Sequence, residues 1–116
     1  MSVPIVAPGT PLCRLDETPD MGAHEVLVGE DRGQVSVILL RQGEAVTAFR
    51  NRCPHFQIPL NARPDSFLIA GEGLVMCGFH SAVFRFSDGV CVDGPCKGAR
   101  LQPIPVRRDG DMILAA

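Results

Sequence analysis

Ten prolines and twelve glycines in 116 residues leave no room for a long helix. Proline fixes its own φ, lacks the N–H an interior helical bond needs, and pushes the residue before it towards extended backbone. Between these breaks lie short stretches rich in Val, Ile, Leu and Phe, which read as strands. The reading predicts strands over 12–15, 24–28, 34–40, 45–51, 66–70, 74–76, 82–86, 90–92, 104–107 and 112–115. Residues 1–11 read as extended and 16–23 as a polar loop. Turns are expected at 30–33, 41–44, 71–73, 87–89 and 108–111. About eight to ten short strands with frequent turns imply an all-β sandwich or barrel.

Hydrophobic residues make up 46% of the chain and charged residues 21%, a balance typical of a globular domain and not of a disordered one. The length suits one core. The formal net charge of −2 offers no broad basic face, so no nucleic-acid partner is expected. No run of eighteen apolar residues is present, and the N-terminus lacks the basic and apolar regions of a secretory signal, so no membrane partner and a cytoplasmic location are expected. Five cysteines, an odd number, argue against a full disulfide framework.

Chemistry concentrates in two short pieces, Cys53-Pro54-His55 and Cys77-Gly78-Phe79-His80. Each pairs one thiol with one imidazole. Thiolates suit zinc and iron–sulfur centres, and imidazole suits zinc, copper and iron. Structural zinc sites usually place two to four residues between paired cysteines and three to five between paired histidines. Here the intervals are one and two, and each pair is mixed. Such pairs suit a two-iron centre with two cysteines on one iron and two histidines on the other.

Cys-x-His followed by Cys-x-x-His resembles the Rieske ferredoxin family. The resemblance extends through Cys53-Pro54-His55-Phe56-Gln57-Ile58-Pro59-Leu60, through the turn Phe84 to Gly89, and through Gly94-Pro95-Cys96. It implies an all-β, Rieske-like antiparallel sandwich or barrel with a small cluster-binding subdomain of two loops. It also implies a single Rieske domain over 1–116, with the cluster-binding part at about 51–86 and the base at about 1–50 and 87–116. The resemblance makes Cys53, His55, Cys77 and His80 the ligands of one 2Fe-2S cluster, with the cysteines on the inner iron and the histidines on an outer iron near the surface.

The departures carry information. High-potential relatives have an extra cysteine in each loop, joined as a disulfide; Ile58 and Phe79 stand there. They also carry two hydroxyl donors near the cluster, where this chain has Ala82 and Phe84. Loss of those donors predicts a potential near the low end of the Rieske range. Gln57 and Ser81 replace glycines and Gly78 replaces a proline, which predicts altered backbone geometry. The connection from Phe56 to Met76 is slightly long, which implies an excursion around Arg63-Pro64-Asp65.

The resemblance implies a low-potential electron carrier, not catalytic alone, loaded by a flavin-dependent ferredoxin reductase and emptied by a terminal oxygenase. Two alternatives are a Rieske-like small subunit of an assimilatory nitrite reductase and a zinc-stabilised binding module without redox chemistry. Pro54, Phe56, Ile58, Pro59, Phe79 and Pro95 are uncharged and suit both shielding and docking. Lys97, Arg100, Arg107 and Arg108 read as scattered solvated charges. Cys91 and Cys96 read as small fillers beside the cluster, Cys13 as a packed residue of the first strand, and His24 as a residue at a solvated strand end.

Overall fold

A computed structural model describes residues 6–29, 34–54, 57–61, 63, 66–78 and 82–116. The strand that organises the rest is Val35–Gln42 (β3). Its run Val37-Ile38-Leu39-Leu40 is buried throughout. Strand side chains alternate between faces. Val37 and Leu39 join a core with Leu12, Cys13, Ala48, Ile104, Ile113 and Ala115. Ile38 and Leu40 face the other way, into a core with Phe49, Cys53, Leu60, Val75, Cys77, Phe84 and Phe86. An unbroken apolar run is what a strand buried on both faces requires.

The other strands are β1 (Pro11–Arg14), β2 (Gly22–Val28), β4 (Ala45–Arg50), β5 (Leu68–Gly71), β6 (Leu74–Met76), β7 (Val83–Arg85), β8 (Cys91–Asp93), β9 (Pro103–Ile104), β10 (Val106–Asp109) and β11 (Met112–Ala115). They form three antiparallel sheets, in the orders β1-β11-β10, β2-β3-β4-β9 and β5-β6-β7-β8. The all-β expectation is met. Strand β5 is an edge, with Leu68 and Ile69 both exposed.

Three details differ from the sequence reading. The expected strand over 104–107 is two strands. Pro105 has no N–H to give a ladder, and the chain leaves β4, its partner through β9, to pair with β11 through β10. The polar loop over 16–23 is shorter than expected. Leu15–Glu17 forms a 3-10 turn in which the Glu17 carboxylate accepts from the Arg14 N–H at 2.7 Å, and Gly22 and Ala23 already belong to β2. His24 is not at a strand end. It is half-buried within β2, opposite Leu39. The turn expected at 30–33 lies outside the described residues.

Gly89, in the turn between β7 and β8, packs against Phe49 of β4. It takes φ +71°, and a Cβ there would stand 2.7 Å from Cε1 of Phe49. Both the backbone and the ring therefore exclude a side chain. Gly89→Ala is expected to cost about 1–3 kcal/mol of stability, read by urea denaturation. An unchanged midpoint would contradict this packing.

Candidate metal centre

Cys53 follows the end of β4 after two residues, and Cys77 directly follows β6. Both thiols are sealed from water, at 0% and 1% exposure. Each loop closes on its own cysteine at the same interval. The Cys53 N–H donates to the Ile58 carbonyl at 2.7 Å, and the Cys77 N–H donates to the Ala82 carbonyl at 2.7 Å. A bond between the loops then fixes them together: the Gly78 N–H donates to the Leu60 carbonyl at 2.8 Å. A proline at 78 would have no N–H for that bond. The departure at Gly78 thus adds a tie.

The departure at Gln57 has a different outcome. Gln57 takes φ +62°, the left-handed conformation that glycine adopts without steric cost. Its N–H donates to the Cys53 carbonyl at 2.8 Å, and its side-chain Nε2 donates to the Pro54 carbonyl at 3.2 Å. These contacts hold the turn in a glycine-like shape with a side chain that resists it.

A polar clamp anchors both ends of the first loop to the base. Asn51 and Asn61 are buried. Asn51 Nδ2 donates to Asn61 Oδ1 at 2.6 Å and to Ser36 Oγ at 3.1 Å, and Asn51 Oδ1 accepts from the Leu60 N–H at 2.9 Å. Asn61 Nδ2 donates to Glu25 Oε1 at 3.0 Å and to the Arg63 carbonyl at 2.8 Å. Ser36 Oγ donates to Glu25 Oε2 at 2.7 Å. Among the described residues no buried side-chain nitrogen or oxygen lacks a partner. The loop between Asn51 and Asn61 is therefore held at its feet by β2 and β3.

A third loop follows β8 and lies against the same core. Cys91 and Cys96 are both buried in it, and none of the five cysteines is in a disulfide. Burial first, then the neighbouring thiols of Cys91 and Cys53, push the Cys96 thiol up to about 12. Cys13 belongs to the opposite core, and burial pushes its thiol up as well.

Of the expected ligands, the structure brings Cys53 and Cys77 into one core on cross-tied loops. His55 and His80 lie outside the described residues, as do Phe56, Phe79 and Ser81. So do Pro64 and Asp65 of the expected excursion; Arg63 bridges back to Ser66. Sequence reasoning missed Glu25, Ser36, Asn51 and Asn61. Two asparagines bracketing the first loop were the available signal. The two cysteines share one core with Ile38, Leu40, Leu60, Val75 and Phe84. A thiolate sealed there needs a compensating positive centre. Two such soft donors in a dry, cross-tied site fit a metal–sulfur group.

This arrangement is a small antiparallel β domain with two buried cysteines on cross-tied loops. The family model for the Rieske [2Fe-2S] domain matches residues 10–107. The chain belongs to the Rieske [2Fe-2S] domain family. A comparison with curated proteins found no match.

Among solved structures, the chain is similar to the ferredoxin of carbazole 1,9a-dioxygenase from Nocardioides aromaticivorans IC177. The TM-score is 0.72 at 24% identity, covering 95% of this chain and 98% of that one. It is also similar to the terminal oxygenase of carbazole 1,9a-dioxygenase from Novosphingobium sp. KA1. There the TM-score is 0.76 at 19% identity, covering 93% of this chain and 30% of that one. A reduced complex between oxygenase and ferredoxin in carbazole 1,9a-dioxygenase gives a TM-score of 0.75 at 15% identity, covering 93% and 29%. At these identities the likeness is one of fold. The chain spans less than a third of the oxygenase chains it matches.

Two variants test the frame. Gln57→Gly relieves the left-handed strain and is expected to stabilise the protein by about 1 kcal/mol in thermal denaturation. Asn61→Ala removes the link to Glu25 and the acceptor for Asn51. It is expected to cost about 1–3 kcal/mol and to speed iron release to a chelator. Release at the parent rate would show that the clamp does not hold the loop.

Proposed function

We propose that this chain is a one-electron carrier whose 2Fe-2S cluster is held by Cys53 and Cys77 on one iron and His55 and His80 on the other. The observation that carries the reading is the pair of buried cysteines on cross-tied loops within a Rieske domain. A 2Fe-2S cluster so held takes up one electron and gives it back. The residues do the rest. Cys53 and Cys77 sit in the dry core, so the inner side of the site is shielded from water. The Gly78–Leu60 bond and the asparagine clamp keep the loops at a set separation. His55 and His80, the nitrogen ligands in this reading, give the electron its exit.

The similar fold of a carbazole-dioxygenase ferredoxin, matched over nearly the whole of both chains, supports a carrier over a catalyst. Structures of ferredoxin with oxygenase support a terminal oxygenase as the electron's destination. A flavin-dependent reductase is the matching source, because flavins convert two-electron donors to single-electron steps. The proposal includes one domain over 1–116 and a cytoplasmic setting; among the described residues no helix is long and apolar enough to cross a membrane.

Ala82 and Phe84 are fully buried and supply no hydroxyl. The midpoint potential is therefore expected at roughly −150 mV. Electron paramagnetic resonance on the dithionite-reduced protein tests the ligand set, and a rhombic signal with couplings from two histidine nitrogens is expected. A colourless protein with one zinc per chain would overturn the reading. His80→Cys is expected to keep a cluster and lower its potential, because a charged thiolate replaces a neutral imidazole. An unchanged potential in that variant would exclude His80 as a ligand.

A further inference from the structure

We propose that Cys91 and Cys96 are a modification site: a dithiol that a peroxide closes into a disulfide, locking the loop that follows β8. This stands on the geometry of the pair and not on the reading of Cys53 and Cys77 as ligands.

The loop brings the two thiols together before any oxidant arrives. The Cys91 N–H donates to the Ala99 carbonyl at 2.7 Å, and the Gly98 N–H donates to the Cys91 carbonyl at 2.9 Å. The Ala99 N–H donates to the Cys96 carbonyl at 2.9 Å. Both ends of the segment are therefore held, and the sulfurs meet at 3.3 Å. Both thiols are free. The entropic cost of bringing two cysteines together is thus met by backbone bonds, which leaves little for the cross-link to overcome.

The distance favours a bond over a shared metal. A tetrahedral ion with metal–sulfur lengths of about 2.3 Å holds two thiolates about 3.8 Å apart. A disulfide needs about 2.0 Å, so these sulfurs have only about 1.3 Å left to travel. Among the described residues no three His, Cys, Asp or Glu are grouped to hold a metal ion.

Cys96 is the entry point. It is 9% exposed against 1% for Cys91. Gly94, Pro95, Lys97 and Gly98 on either side of it are exposed. The turn over it is closed by the Lys97 N–H donating to the Gly94 carbonyl at 3.3 Å, a longer bond than the two that grip Cys91. A molecule as small as hydrogen peroxide needs only a slight opening there.

The chemistry balances with peroxide as the oxidant. One sulfur takes an oxygen atom from hydrogen peroxide and becomes a sulfenic acid; the O–O bond breaks and water leaves. The other sulfur attacks it, the S–S bond forms, the S–O bond breaks, and a second water carries off the remaining thiol proton. The two thiols together lose two electrons, and one peroxide is reduced to two waters. The partner sulfur at contact distance intercepts the sulfenic acid before it oxidises further. Closure also removes the S–H that Cys91 donates to the Asp93 carbonyl at 3.1 Å. A small dithiol reverses the step by exchange.

The test uses the iron-loaded full chain, treated with hydrogen peroxide, alkylated under denaturing conditions and cut with trypsin. Cleavage after Arg85 and Lys97 leaves both thiols in one peptide, with no other cysteine. That peptide is expected without alkyl label and lighter by two hydrogens than its dithiol form. Dithiothreitol before alkylation is expected to restore two labels. Peroxide is also expected to raise the thermal midpoint of the parent relative to Cys91→Ser treated identically, which shares any damage to the iron centre. Two labels after peroxide, sulfonic acids in place of the bridge, or a disulfide joining Cys96 to Cys53 overturns the proposal. A parent midpoint that falls relative to the variant's, or stays level with it, overturns the locking role. Should Cys91→Ser fail to fold, the peptide masses of the parent decide. A parent without a reduced-state resonance signal overturns the carrier reading and leaves the peptide result standing.

Discussion

The structure depends on one strand being dry on both sides. Val37 to Leu40 form the partition between two cores, and each core uses alternate residues of the same run. One core belongs to the base sheets. The other holds Cys53, Cys77, Cys91 and Cys96. Burying four large apolar side chains in one strand is worth several kcal/mol of hydrophobic stabilisation. The same strand places Ser36, through which the base reaches Glu25 and Asn51. This buried strand thus packs directly against the core that holds the two cysteine loops.

Much of this was legible in the sequence. The strand run of β3, the turn at Gly89 and the two cysteine loops all announce themselves in local residue order. Punctuation by Pro and Gly placed most strands correctly because breakers act on their own backbone and its nearest neighbours. Pro105 shows the limit. It marked no visible boundary between Ile104 and Val106, yet it separates strands belonging to different sheets.

The clamp was illegible for a related reason. Glu25, Ser36, Asn51 and Asn61 lie on four separate segments, and only the folded chain brings them together. Gln57 and Gly78 were read as departures, and their consequences depended on partners. One keeps a left-handed turn by bonding to Pro54, and the other gains an N–H that Leu60 accepts. The contact between Cys91 and Cys96 is similar: both are core fillers as expected, and the turn after β8 brings their sulfurs to 3.3 Å.

The Gly78–Leu60 bond has a bearing on assembly. It joins the two cysteine loops through backbone alone, with no part for the metal. Small metal domains often acquire their shape only when the ion arrives, so that binding and folding are one event. Here the described stems of both loops are also joined by the protein's own backbone. That bond shares in the entropic cost of bringing the two cysteine loops together.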